Sequence, residues 1–163
     1  MALDLQDCSL AELGPLGYAF ARGTLPDTRQ ALLSIRLEGE FANEHEGVFD
    51  YAAAVVMAGL EAWQPWAVIL DLRAVTYSWG DRMENVLMAS QRWFLPLRPA
   101  LNVFAGGMLP VVMPQTIVVS DSCRDGMASL LRYMDREPAE MLFESMADAA
   151  RALDRMLEGV PLV

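Results

Sequence analysis

The chain has 163 residues, 54% of them apolar and 21% charged, which fits one folded domain long enough to bury a core. It carries 22 acids against 12 bases, a formal net charge of −10, and every base is arginine. The absence of lysine excludes a P-loop lysine, a Schiff-base lysine and a Ser–Lys dyad, and the acidity argues against nucleic acid as a direct partner.

No apolar run approaches the roughly 18 residues that span a bilayer, so no membrane partner is expected. The N-terminal MALDLQDCSLAEL holds acids and no base, unlike a secretory signal, and the cytoplasm is the expected compartment. Cys8 and Cys123 are too few for a disulfide framework and lack metal spacing; they read as reduced, structural thiols.

Residues 1–17 read as a leader, punctuated by Gly14-Pro15 and Gly17. Tyr18–Leu25 predicts a first strand and Pro26-Asp27 the turn after it. Over Ala31–Phe41, Leu33, Ile35, Leu37 and Gly39 alternate with Ser34, Arg36, Glu38 and Glu40, the period of a half-exposed strand. The two segments together suggest a hairpin.

Asn43–Trp63 predicts a helix, with Asn43 as N-cap and Glu46 at the capping-box position. Phe49, Ala52, Ala53, Val56 and Leu60 mark its buried stripe, and Pro65 stops it. The stretch WAVILDLRAVTYSWGDR follows. Its apolar run, Val68, Ile69 and Leu70, ends at Asp71 and predicts a central strand over Trp66–Leu72, covered on both faces. The carboxyl end of such a strand is where α/β proteins place functional groups.

Gly80–Leu95 predicts a second helix, with Met83, Val86, Leu87, Ser90 and Phe94 at near-helical spacing. Residues 96–114, PLRPALNVFAGGMLPVVMP, then read as a long apolar loop with one charge, Arg98, packed on the domain or on a partner. Gln115–Ser120 predicts a strand, and Ser122 caps a helix to Tyr133, with Asp125 at the capping-box position. Glu140–Phe143 predicts a short last strand. Ser145, three residues before Asp148, starts a closing helix with Met146, Ala149, Ala150, Leu153 and Leu157 on one face, ended by Gly159 and Pro161. The order β-β-α-β-α-β-α-β-α predicts a single α/β domain over residues 1–163: a mixed sheet of about five strands with helices packed on it.

That order resembles STAS domains, the family of bacterial anti-sigma-factor antagonists and sulfate-transporter tails. ILDLRAVTY is similar to the family's strand-loop pattern of apolar residues, Asp-Leu, a small step and an aromatic. MLFESMADAARAL is similar to its last strand and helix. The resemblance spans residues 18–158. It implies an Asp-Ser pair at the start of the helix after the central strand, the Ser being phosphorylated by a partner kinase. Those positions fall here on Trp79 and Gly80, and Ser78 lies two residues too early. The chain therefore resembles a STAS domain without the phosphorylatable serine.

The residues support no catalytic set. His45, the one histidine, sits between Glu44 and Glu46, whose side chains point to other helix faces, so no metal is expected. SDSCRDG, residues 120–126, lacks the glycines of a nucleophile elbow. A Cys123–His45 dyad depends on a contact in space that sequence does not give. A small enzyme using Asp71, Asp81 and Asp121, or Cys123, is the lesser alternative. No cofactor is expected.

Charge placement points elsewhere. No base lies between Arg36 and Arg73, while Glu38, Glu40, Glu44, Glu46, Asp50, Glu61 and Asp71 fall in that window. The main expectation is a non-enzymatic protein-binding module: an acidic, immunity-type inhibitor that occludes a basic protein such as a toxin. Glu38, Glu40, Glu44, Glu46 and Asp50 would steer the partner, and Tyr77, Trp79 and Asp81 would make the contact. The alternative is a STAS-type regulator or scaffold in a sigma-factor or stress pathway, without the phosphoswitch.

Overall fold

The computed structural model describes residues 9–42, 46–78, 80, 82–104, 110 and 112–161. A 3-10 turn over Leu10–Leu13 precedes a hairpin of β1 (Gly17–Thr24) and β2 (Ala31–Glu40), in which Gly17 faces Glu38 and Thr24 faces Ala31. The predicted alternation holds in β2: Leu33, Ile35 and Leu37 are fully buried and Arg36 is exposed. Parallel to β2 run β3 (Ala67–Thr76), β4 (Gln115–Val118) and β5 (Leu142–Phe143). The spatial order is β1-β2-β3-β4-β5, one mixed five-stranded sheet, as the element order predicts.

A parallel sheet that advances in one direction places every right-handed crossover on the same face. Accordingly α1 (Glu46–Trp63), α2 (Met83–Phe104) and α3 (Asp121–Tyr133) share one core against Leu33, Ile35, Leu37, Val68, Leu70 and Leu72. Phe41 and Phe49, edge to face at 5.3 Å, close that core at the start of α1. The odd-numbered β3 residues Ala67 and Ile69 point the other way. There they meet α5 (Met146–Met156), which returns along the second face with Ala149, Leu153 and Leu157. The Ser145 cap is present, its hydroxyl accepting from Asp148 N–H at 3.1 Å.

Several boundaries differ from expectation. Residues 96–104 are not loop: α2 continues through Pro96 and Pro99 to Phe104. Each proline denies a helical bond to a carbonyl four residues back, on Arg92 and Leu95. Both residues are solvent-exposed, so the lost bonds fall on the solvent side of the helix. The connection that remains spans 105–114, of which 105–109 and 111 lie outside the described residues. The last strand is only Leu142–Phe143, because α4 (Pro138–Met141) occupies the residues before it. Pro138 explains this: it sits in the first helical turn, where its missing N–H costs nothing. The leader reading for residues 1–8 and the Asn43 cap lie outside the described residues.

One tie closes the chain on itself. The nearly buried Asp154 of α5 accepts from Thr28 N–H at 2.9 Å, Thr28 Oγ1 at 2.8 Å and Asp27 N–H at 3.3 Å. It thereby caps the β1–β2 turn. Beside it Gln30 Nε2 donates to the carbonyls of Val160 and Pro161. Asp154→Ala orphans those turn donors and should lower stability by about 2–3 kcal/mol, read as a fall in urea midpoint with an unchanged slope.

Candidate functional site

The carboxyl end of the sheet is built around an overhang. On its β2 side β3 stays paired as far as Thr76, opposite Glu40. On its β4 side pairing stops at Asp71, opposite Val118. The backbone after Asp71 therefore needs other partners. The first turn of α3 supplies them. Ser120 Oγ donates to Arg73 O at 2.9 Å, Ser122 Oγ to Val75 O at 2.9 Å, and Cys123 Sγ to Leu72 O at 3.3 Å. Ser120 Oγ and Ser122 Oγ also lie 2.8 Å apart, so two hydroxyl protons serve three contacts.

The same turn fixes the chain further on. Tyr77 N–H donates to Ser122 O at 3.4 Å. Gly126 lies so close that a Cβ there would stand 2.7 Å from Ser78 O and 2.8 Å from Tyr77 O. Only glycine allows α3 to lie this tightly on residues 77–78. The sequence-based N-cap is corrected here. The cap residue is Ser120, which makes no side-chain capping bond, and Ser122 lies inside the helix with its hydroxyl turned to β3.

On the second face Asp71 is 5% exposed and held by Arg73 in a two-pronged pair, Nε to Oδ1 at 2.9 Å and Nη2 to Oδ2 at 2.8 Å. The Arg73 N–H adds a third bond, to Oδ1 at 3.2 Å. Burial alone would raise the Asp71 pKa. The hydrogen bonds and charge of Arg73, with a smaller contribution from Arg36, outweigh it and hold the carboxyl below its ordinary value. Asp71 is thus a structural carboxylate, ionised and engaged. Cys123 shows the opposite balance: burial raises its thiol, against weaker opposing hydrogen bonds from Ser120. A buried thiol that stays protonated is not an activated nucleophile. Asp121 is exposed on the first turn of α3. Asp81 and His45 lie outside the described residues, and among the described residues no group of three or more His, Cys, Asp or Glu is placed to hold a metal.

The expected binding residues divide. Glu40 and Asp50 are exposed, and Glu38, half-buried, pairs with Arg36 at 2.9 Å. Glu38 and Glu40 stand opposite Ala74 and Thr76, so they share the carboxyl edge with the β3 overhang. Asp50 lies one turn into α1, which starts from that same end. Tyr77, expected at the contact, is a core residue instead. It is 2% exposed, and its hydroxyl donates to Gly80 O. Its neighbour Ser78 is the exposed one. Glu44, Trp79 and Asp81 lie outside the described residues, as does the side chain of Glu46.

No family model matches the chain, and no curated protein does. Among solved structures it is similar to the crystal structure of an anti-sigma factor antagonist from Mycobacterium paratuberculosis. The two are 15% identical, with 84% of this chain and 94% of that one covered and a TM-score of 0.47. The likeness is one of chain outline and says nothing of activity or partner. Among the described residues no helix is long and apolar enough to cross a membrane.

Two outcomes test the site. In a Cys8→Ser background, Cys123 should react with a disulfide reagent at pH 8 roughly 100-fold more slowly than a free thiol, and at the free rate once unfolded in urea. Asp71→Asn should lower stability at pH 7 by about 1 kcal/mol, because half-exposed Arg73 discounts the pair. The folded Asp71 carboxyl titrates below its unfolded value of 3.8, so its contribution is whole above that value and is lost as pH falls through the lower folded one. Urea midpoints of the two proteins should therefore converge below pH 4.

Proposed function

We propose that this protein is a non-enzymatic protein-binding domain of the STAS type, a regulator or scaffold that works without a serine phosphoswitch. One observation carries the reading. At the carboxyl end of the sheet the hydroxyls of Ser120 and Ser122, the Cys123 thiol and the buried Asp71 carboxylate are all engaged in holding the β3 overhang. A rigid mount of this kind suits the presentation of the following loop to another protein. Strand order and the ILDLRAVTY and MLFESMADAARAL segments support the STAS assignment. Gly80, which falls where the family's phosphorylated Ser would stand, supports the loss of the switch.

The narrower expectation, an immunity-type inhibitor of a basic toxin, draws on the acidic window together with the lack of lysine and of a catalytic set and the apolar stretch 96–114. Arg36 and Arg73, the two ends of that window, pair with Glu38 and Asp71, so part of the negative field is offset within it. This favours the regulator over the toxin inhibitor.

A photo-crosslinking residue at exposed Ser78 tests the reading, with the same residue at Asp27 in the opposite turn as the control. Expressed in the source cell, the Ser78 protein should capture a sigma-pathway regulator or scaffold protein and the Asp27 protein should not. Reversing the charge of Glu40 and Asp50 together should then slow association with that partner by about tenfold at low salt, with the difference shrinking as salt rises. Capture that is equal from both sites, or absent from Ser78, would refute the proposal.

A further inference from the structure

At the other end of the sheet a cavity of about 330 Å³ opens beside the start of β4. Its origin is the shortness of β5. That strand pairs only with Ile117 and Val118, so Gln115 has no strand beside it on that side. The four-residue α4 and the ends of α3 and α5 surround the gap without filling it. Five methionines line the space: Met88, Met113, Met134, Met141 and Met156. Unbranched thioether chains form an adaptable apolar wall. The lip is fixed by Gln91, whose amide donates to Met113 O at 3.0 Å and accepts from Met113 N–H at 2.8 Å.

Besides Gln91, whose amide is spent on Met113, one uncharged polar side chain breaks this wall. Gln115 is only 4% exposed and lines the cavity, and its Oε1 accepts from Ser90 Oγ. Its Nε2 has no partner among the described residues. With the amide turned over, Ser90 would accept from Nε2 and Oε1 would be left instead. Either way one amide atom is left without a protein partner, on a side chain that lines the cavity, and is open to a ligand there. The charged residues of the lining, Arg136, Glu137 and Glu140, belong to exposed positions and sum to one negative charge. A charged head carried in to Gln115 would find no counter-charge there.

We propose that this cavity binds a small uncharged apolar molecule bearing a single hydroxyl, its chain among the methionines and its hydroxyl on the Gln115 amide. A hydroxyl both donates and accepts, so it satisfies the amide in either orientation. The size is at the lower end of ligand pockets, suited to a medium-length aliphatic alcohol rather than a drug-sized molecule.

Titration of protein carrying methyl-labelled methionine with octan-1-ol tests this. The spectrum should show saturable shifts at Met88, Met113, Met134, Met141 and Met156, with exposed Met57 of α1 and Met127 in the core unmoved. Gln115→Leu should weaken binding by about tenfold while the methyl spectrum still reports a folded protein. Met141→Trp, which fills the space, should abolish binding. Octanoate and octylammonium should each bind at least tenfold more weakly. Linear, unsaturating or uniform shifts, retained binding in Met141→Trp, or octanoate binding as tightly as the alcohol would overturn the proposal.

Discussion

A strand longer than its neighbour sets the terms for one whole end of this molecule. Past Asp71, β3 has no β4 residue beside it, and its carbonyls turn to the start of α3 instead. A buried carbonyl without a donor costs about 1–3 kcal/mol; the Leu72 carbonyl faces that cost in full and the Val75 carbonyl in part, while the Arg73 carbonyl lies at the surface. Ser120, Ser122 and Cys123 meet it from one helical turn. Their side chains thus complete a sheet that the backbone leaves unfinished. The same constraint fixes Tyr77 in the core, requires Gly126, and determines where the exposed residues begin.

The opposite end is shaped by a strand that is too short. β5 covers the carboxyl half of β4 and leaves the amino half to a four-residue helix. Where the long strand consumes polar groups, the short one leaves an apolar space with one amide in it. Helix distribution follows from strand order in the same way. Three long helices lie on one face and α5 alone on the other, so β1 is nearly uncovered along its length.

How much of this the sequence discloses depends on the range of each interaction. The alternation of Leu33, Ile35 and Leu37, the stripe of Phe49, Ala52, Val56 and Leu60, and the Ser145–Asp148 cap are local patterns, and each is found where it was expected. Pro96 misleads because a proline reads as a helix stop, whereas a helix tolerates it when the lost bond falls on its solvent side. The role of SDSC, residues 120–123, was hidden for a different reason. Three side-chain donors in four residues after a strand are a signal only once the facing strand is known to be longer. Tyr77 reads as a contact residue because the apolar neighbours that bury it lie far off in sequence. No local pattern announces Asp154 as the cap of the Thr28 turn.

That cap has a temporal consequence. Asp154 and Thr28 are 126 residues apart, so their contact closes a loop nearly as long as the domain. Contacts of such range form late, after local helices and neighbouring strands have organised. On the ribosome the hairpin, β3 and β4 can assemble while α5 is still inside the exit tunnel. Until it emerges, Ala67, Ile69 and Val118 form an uncovered apolar strip on the second face. The arrival of α5 therefore ends an interval in which that strip is open to aggregation, and the docking of Asp154 on the Thr28 turn accompanies its closure.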